Sequence, residues 1–343
     1  MSINFRSDNE SPAAEAILEA LVAANTGSAW AYGEDDWTAA LEEAFGALFE
    51  CETTVVPLGT GTAANSIALA ALCPPWGSVY CHREAHIHGD EGGAPEFYGQ
   101  GLRIVPVEGP GGKLQPEALE AALRANTGHG VHSYAPAALS LTQSTECGTV
   151  YRPGELAALT ALARERGMGT HLDGARFANA VAHLGCAPAD LTWRAGIDLL
   201  SFGASKNGCL AAEALVIFDR PELRERVERL RKRGGHLFSK MRYPSAQLLA
   251  YLEGGRWLEL AARANGQASA FARTVSTHGE ARLAYPVEAN EVFVIWNPAG
   301  FERLEAAGME FHRWPGREDL ARFVFSHATT DAETGALCAA LDG

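Results

Sequence analysis

The chain has 343 residues, 47% of them hydrophobic and 20% charged, a globular balance that supports about two domains and a core needing no metal or disulfide staples. Its formal net charge of −14 excludes a generalised basic footprint for nucleic acid. No apolar run approaches the ~20 residues of a membrane span, the N-terminus has no apolar signal core, and seven cysteines without a CxxC pair point to reduced thiols in the cytoplasm.

In chain order, residues 1–34 read as a polar arm, a helix starting at Ser11-Pro12 and a loop. Residues 35–50 predict an amphipathic helix with Trp37, Leu41, Phe45 and Leu48 on one face. Strands and helices then alternate. Strands are expected at Thr53–Pro57, Ser78–Cys81, Arg103–Val107, Ala138–Gln143, Gly169–Leu172, Ile197–Phe202 and Ala214–Phe218, with helices at Thr62–Leu72, Pro116–Ala125 and Arg152–Arg166. Such alternation implies an α/β fold with a mostly parallel sheet covered by helices. Pro221 opens a charged helix, and 244–278 reads as one alanine-rich connector. A small α+β unit follows: strand Val292–Trp296, helix Gly300–Ala307, strand Ala321–Phe325 and a last helix from Asp331. The expected units are an arm at 1–34, a large domain at 35–245, and a connector with a small C-terminal domain at 246–343.

Of the four lysines, only Lys206 follows an apolar run, in Asp198-Leu-Leu-Ser-Phe-Gly-Ala-Ser-Lys206-Asn-Gly208. Lys113 sits in a glycine-proline turn, Lys232 in a charged run and Lys240 in a mixed segment. Desolvation disfavours a charged amine, and the neutral amine is the form that bonds a carbonyl. Asp173 closes a second apolar run, in Gly169-Thr-His-Leu-Asp-Gly-Ala-Arg176. A strand-end lysine with a strand-end aspartate is the pairing that pyridoxal phosphate (PLP) uses: the amine bonds the aldehyde and the acid keeps the ring nitrogen protonated.

The loop Gly59-Thr-Gly-Thr-Ala-Ala-Asn65 follows a strand and opens a helix. It is either an anion cradle or a plain strand–helix junction, and it matches neither a Walker loop nor a dinucleotide fingerprint. The run Cys81-His-Arg-Glu-Ala-His86-Ile-His88-Gly-Asp90-Glu91 is the densest metal-like cluster, with no HExxH spacing. It offers a metal-dependent hydrolase as one alternative. A polar loop, or a loop whose imidazole stacks on a flat ring, is the other.

Phe5-Arg-Ser-Asp8, Tyr32-Gly-Glu-Asp35, Gly61-Thr-Ala-Ala-Asn65, His86, Leu172-Asp-Gly-Ala-Arg176 and Phe202-Gly-Ala-Ser-Lys206-Asn-Gly208 occur in this order. Together they resemble the low-specificity L-threonine aldolases, active on threonine and phenylserine, of the β-eliminating-lyase branch of fold-type I PLP enzymes. The likeness runs from residue 5 to about 326 and implies an aspartate aminotransferase-like fold. It also implies cleavage of β-hydroxy-α-amino acids to glycine and an aldehyde, and a homodimer or homotetramer with shared sites. By the same resemblance Gly61, Thr62 and Arg242 contact phosphate, and His86 stacks on the ring. Asp173 pairs with the ring nitrogen, and Lys206 carries the cofactor. Ser7, Arg176 and Arg322 hold the substrate carboxylate, and Tyr32 approaches from a neighbouring subunit. His132 matches a histidine near the β-hydroxyl; read from the residues alone, it is equally a satisfied surface or core histidine. The stretch Thr142-Gln-Ser-Thr-Glu-Cys-Gly148 departs from the Glu-Asn-Thr-His of many members. β-Elimination or transamination on the same scaffold is the alternative reaction.

Overall fold

The computed structural model describes residues 2–126 and 129–342. Seven strands form the main sheet: β1 (Thr53–Leu58), β2 (Gly77–His82), β3 (Arg103–Val107), β4 (Ala135–Thr142), β5 (Gly169–Gly174), β6 (Leu199–Gly203) and β7 (Glu213–Phe218). Their spatial order is β1-β7-β6-β5-β4-β2-β3. β7 runs antiparallel to both neighbours, and the remaining pairs are parallel. β2, β6 and β7 are buried at every position. Strands in a mostly parallel sheet are covered on both faces, which is why they read as continuous apolar runs rather than alternating ones.

Helices α1 (Glu15–Ala24), α2 (Asp36–Phe49), α3 (Gly61–Leu72), α4 (Pro116–Asn126), α5 (Pro153–Glu165), α6 (Phe177–Leu184) and α7 (Arg224–Arg233) belong to this part of the chain. On one side, Ala64, Ile67 and Ala68 of α3 pack with Val56, Leu58, Leu199 and Leu215. Elsewhere Phe45 and Phe49 of α2 meet Phe177, Phe202 and Trp257 in an aromatic cluster, with Phe177 and Trp257 stacked at 6.2 Å.

The expected single helix over 244–278 is two helices, α8 (Arg242–Leu252) and α9 (Arg256–Thr277). Gly254 and Gly255 between them have φ of +63° and +79°, a left-handed backbone that glycine adopts without steric cost. The expected boundary at 245/246 therefore falls inside α8. The C-terminal unit is an antiparallel sheet of β8 (Arg282–Leu283), β9 (Glu291–Ile295), β10 (His312–Arg313) and β11 (Leu320–Val324), ordered β10-β11-β9-β8. Helices α10 (Pro298–Ala306) and α11 (Asp331–Asp342) complete it.

The N-terminal arm is part of this unit rather than a free segment. Ile3 and Asn4 pair in parallel with Met309 and Glu310. Phe5 is fully buried in the C-terminal core, and its carbonyl accepts the Val324 N–H at 2.8 Å. Residues 8–10 form a single 3-10 turn, so the first α-helix starts at Glu15 and not at Ser11.

Candidate active site

The parallel strands deliver their chemistry at their C-terminal ends, where open α/β sheets bind ligands. Asp173 lies near the end of β5, and Lys206 follows β6 in a 3-10 turn over Ser205–Asn207. One cleft is lined by both, together with the Gly59–Thr62 loop, Asn65, His86, Glu91, Glu146 and Glu213.

Close backbone approach brings the two strand ends together. A Cβ on Gly203 would lie 2.6 Å from the Ala175 carbonyl oxygen, so only glycine lets β6 pass beside the Asp173–Arg176 turn. Glu213 on β7 accepts the N–H groups of Ala204 and Ser205 at 3.2 and 3.3 Å. Asn207 donates to the Tyr251 hydroxyl at 2.6 Å and the Trp257 carbonyl at 2.8 Å. The backbone on either side of Lys206 is thus fixed, while its half-buried amine has no hydrogen bond or ion pair among the described residues.

Asp173 is buried and held at both oxygens. Oδ1 accepts the Ala175 N–H at 3.0 Å, and Oδ2 accepts Asn65 Nδ2 at 2.9 Å. Asn65 Nδ2 also donates to Glu91 Oε1 at 2.8 Å, and His86 Nδ1 stands 2.9 Å from that same oxygen. The hydrogen bond to Glu91 raises the His86 pKa against the opposing effect of burial. Burial in turn raises that of Glu91, with the Asp173 charge adding to it.

A group carrying an aldehyde, a basic ring nitrogen and a phosphate fits this donor set. The free amine of Lys206 and the fixed carboxylate of Asp173 face one cleft, and the N-terminus of α3 opens on it. Thr60 caps that helix through Ala63 N, and the first-turn amides of Gly61 and Thr62 lie beside the positive end of its dipole.

Other expected residues are placed differently. Arg176 is buried, and its Nε and one terminal nitrogen are spent on Asp8 at 2.8 and 3.0 Å. Its remaining edge faces Glu291 at 3.4 Å, which Arg322 also faces at 3.5 Å. Arg176 is therefore not a free two-pronged clamp; its fork is the counterion of a buried carboxylate. Burial opposes ionisation of Asp8, but Arg176, Lys206 and hydrogen bonds from Arg176 and Asn290 outweigh it and hold its pKa below the usual range. Ser7 caps the 3-10 turn by accepting the Asn9 N–H.

Ser7, Arg176 and Arg322 stand behind the cleft wall rather than in its lining, and Arg242, Tyr32 and His132 do not line the cleft of their own chain either. Arg242 donates to the carbonyls of Thr26 and Gly27 at 3.3 and 3.2 Å. Tyr32 is exposed, at φ +61°, with Lys232 Nζ 4.9 Å from its ring. His132 is exposed in the turn that precedes β4. β4 is parallel to β5, so His132 stands at the sheet edge opposite Lys206 and Asp173.

The metal-like cluster is dispersed. His82 donates through Nε2 to the Gly109 carbonyl and accepts the Glu84 N–H at Nδ1, while His88 and Asp90 are exposed. Among the described residues no group of three or more His, Cys, Asp or Glu side chains is gathered as metal ligands. The sequence pattern points to no individual role for Asn65, Glu146 or Glu213, and places Glu91 only in the metal-like run. Asn65 is the recoverable one, since it ends the Gly-Thr loop one helical turn into α3.

The fold and this side-chain set define a PLP-dependent enzyme of fold type I. A model of the β-eliminating lyase family matches residues 4–298, and the chain belongs to that family. It is 42% identical over 339 residues to the low specificity L-threonine aldolase of Pseudomonas sp. (strain NCIMB 10558), covering 98% of this chain and 96% of that protein. The structure is similar to a threonine aldolase of Leishmania major, with a TM-score of 0.91 at 28% identity over 98% of both chains. An aspartate aminotransferase of Rhodobacter sphaeroides shares the fold at a TM-score of 0.71 and 15% identity, over 100% of this chain and 93% of that one.

Proposed function

We propose that this chain uses PLP to cleave β-hydroxy-α-amino acids, with threonine, allo-threonine and phenylserine as substrates, into glycine and an aldehyde. The carrying observation is the unpaired Lys206 amine opening on the same cleft as the fixed Asp173 carboxylate. The L-threonine aldolases among the relatives support the substrate class.

The cofactor, when bound, supplies an electron sink for the bond broken at the amino acid's α-carbon. Lys206 holds it through its amine, and Asp173 keeps its ring nitrogen protonated. Gly61 and Thr62 would hold its phosphate through backbone N–H groups. His86, fixed by Glu91, would cover the ring. Arg322, Ser7 and the edge of Arg176 that faces Glu291 receive the substrate carboxylate, which must compete with Glu291 for the two guanidinium groups. Tyr32, Arg242 and His132 reach the cleft from another copy in a homodimer or homotetramer. Exposed Leu210 on the cleft wall, and exposed Tyr32 and Phe238, support a mouth covered by a second chain. Seven unpaired cysteines support a reducing, cytoplasmic setting.

Borohydride reduction of the holoenzyme and peptide mapping test the reading. The pyridoxyl label is expected on Lys206, and L-threonine, L-allo-threonine and phenylserine are expected to yield glycine and an aldehyde. Label on Lys113, Lys232 or Lys240, or an α-keto acid as the main product, would overturn it.

A further inference from the structure

Glu146 lies in the stretch Thr142-Gln-Ser-Thr-Glu-Cys-Gly148 that follows β4, half-buried on the wall of the cleft that holds Lys206. Its carboxyl group makes neither hydrogen bond nor ion pair among the described residues. Other acidic side chains at the site are engaged: Asp173 with Asn65, Glu91 with His86, Glu213 with the Lys206 turn and Asp8 with Arg176. Glu146 alone is left with its oxygens uncommitted.

We infer that Glu146 is a catalytic residue, the base that accepts the β-hydroxyl proton as the Cα–Cβ bond breaks. This rests on the aldolase reading above. The hydroxyl O–H bond breaks, its proton moves to a Glu146 oxygen, and the freed pair forms the aldehyde C=O. The Cα–Cβ pair stays with the glycine fragment. The proton held by Glu146 is balanced by the one that fragment gains at Cα. In the reverse direction the protonated carboxyl returns its proton to the nascent alkoxide.

The surroundings suit the task. Burial first, then the Glu291 charge, raises the Glu146 pKa to about 7, with Lys206 and Arg176 pulling it down and Asp173 pushing it up. His86 also lies within electrostatic reach. A base with a pKa near the working pH is the efficient one. Glu291 comes from β9 of the C-terminal sheet, so the small domain tunes a group on the large one.

The test compares the parent holoenzyme with Glu146→Gln, Glu146→Asp and Glu291→Gln. In the parent, kcat/KM for phenylserine rises with pH through about 7, and carbon NMR of labelled glutamate shows a carboxyl titrating there that Glu146→Gln lacks. Glu146→Gln loses about 10²–10⁴-fold in cleavage and loses that pH limb. It keeps glycine affinity, read from cofactor absorbance, and the exchange of glycine's α-hydrogen with deuterated solvent, because glycine has no β-hydroxyl. Glu146→Asp recovers part of the rate. Glu291→Gln moves the limb to lower pH. Parent-like cleavage and an intact limb in Glu146→Gln would overturn the inference, as would an equal loss of glycine exchange. A parent that releases no aldehyde would overturn both this inference and the aldolase reading; an active parent with an unaffected Glu146→Gln overturns this one alone.

Discussion

At the residue scale the site separates charges that are committed from charges that are free. Asp8 and Arg176 form a buried, two-bonded ion pair, and removing one member of such a pair strands the other. Asp8→Ala is therefore expected to destabilise the protein by about 3–5 kcal/mol, measured by urea unfolding at neutral pH. The pH dependence follows from the lowered pKa of Asp8. The unfolded chain takes up its proton first as pH falls, so the pair's stabilisation is full above the ordinary carboxylate range. It is lost as pH drops through the folded value. An Asp8→Ala variant as stable as the parent would show that Arg176 finds an equivalent partner in Glu291. The two partners lie 168 residues apart in sequence, which is why the motif Phe5-Arg-Ser-Asp8 carried no hint of a counterion role. Lys206 was legible for the opposite reason: its meaning lies in its local context after an apolar run. Glu146 was not, because its role depends on being the unpaired carboxyl in a cleft assembled from distant strands.

At the element scale, the strand ends hold the site through packing and buried polar links. His171, two residues before Asp173, bridges neighbouring strands: Ser140 Oγ stands 2.9 Å from Nδ1 and Ser201 Oγ 2.9 Å from Nε2. Burial lowers its pKa to about 4, so it is neutral in the folded protein. The unfolded chain binds a proton there first as pH falls below ~6.5, so stability declines from that point down to about 4. His171→Gln is expected to flatten this part of the pH–stability curve, as read by thermal unfolding; an unchanged slope would contradict a buried neutral imidazole. Gly203→Ala is expected to cost about 1–3 kcal/mol and to weaken cofactor retention on dialysis. Its Cβ meets the Ala175 backbone, which cannot swing aside as a flexible side chain does. The alternation of apolar runs with helices was enough to read the sheet, because each covered strand is continuous in sequence. The break at Gly254-Gly255 and the two-residue strands were not, since a left-handed glycine pair inside an alanine-rich helical pattern leaves the periodicity almost intact.

At the scale of the whole molecule, parallel topology decides which residues of one chain meet. A residue just before a parallel strand lies at the edge opposite one just after it. That rule, applied to the sequence, already separates His132, ahead of β4, from Lys206, behind β6. His132 therefore acts on the cleft only if a second copy brings it there. Mixing two inactive variants tests this directly. When Lys206→Ala and His132→Phe chains are combined under conditions that exchange subunits, a mixed pair contains one site with the parent Lys206 from one chain and the parent His132 from the other. Cleavage of phenylserine is expected to return toward the one intact site per mixed pair, while each variant alone stays low. Tyr32 and Leu210, exposed in the single chain, are expected to lose solvent accessibility in the assembly, measured by hydrogen exchange of their segments. An active monomer by light scattering would refute the shared site. So would full activity of His132→Phe alone, because the rate would then owe nothing to an imidazole that only a neighbour delivers.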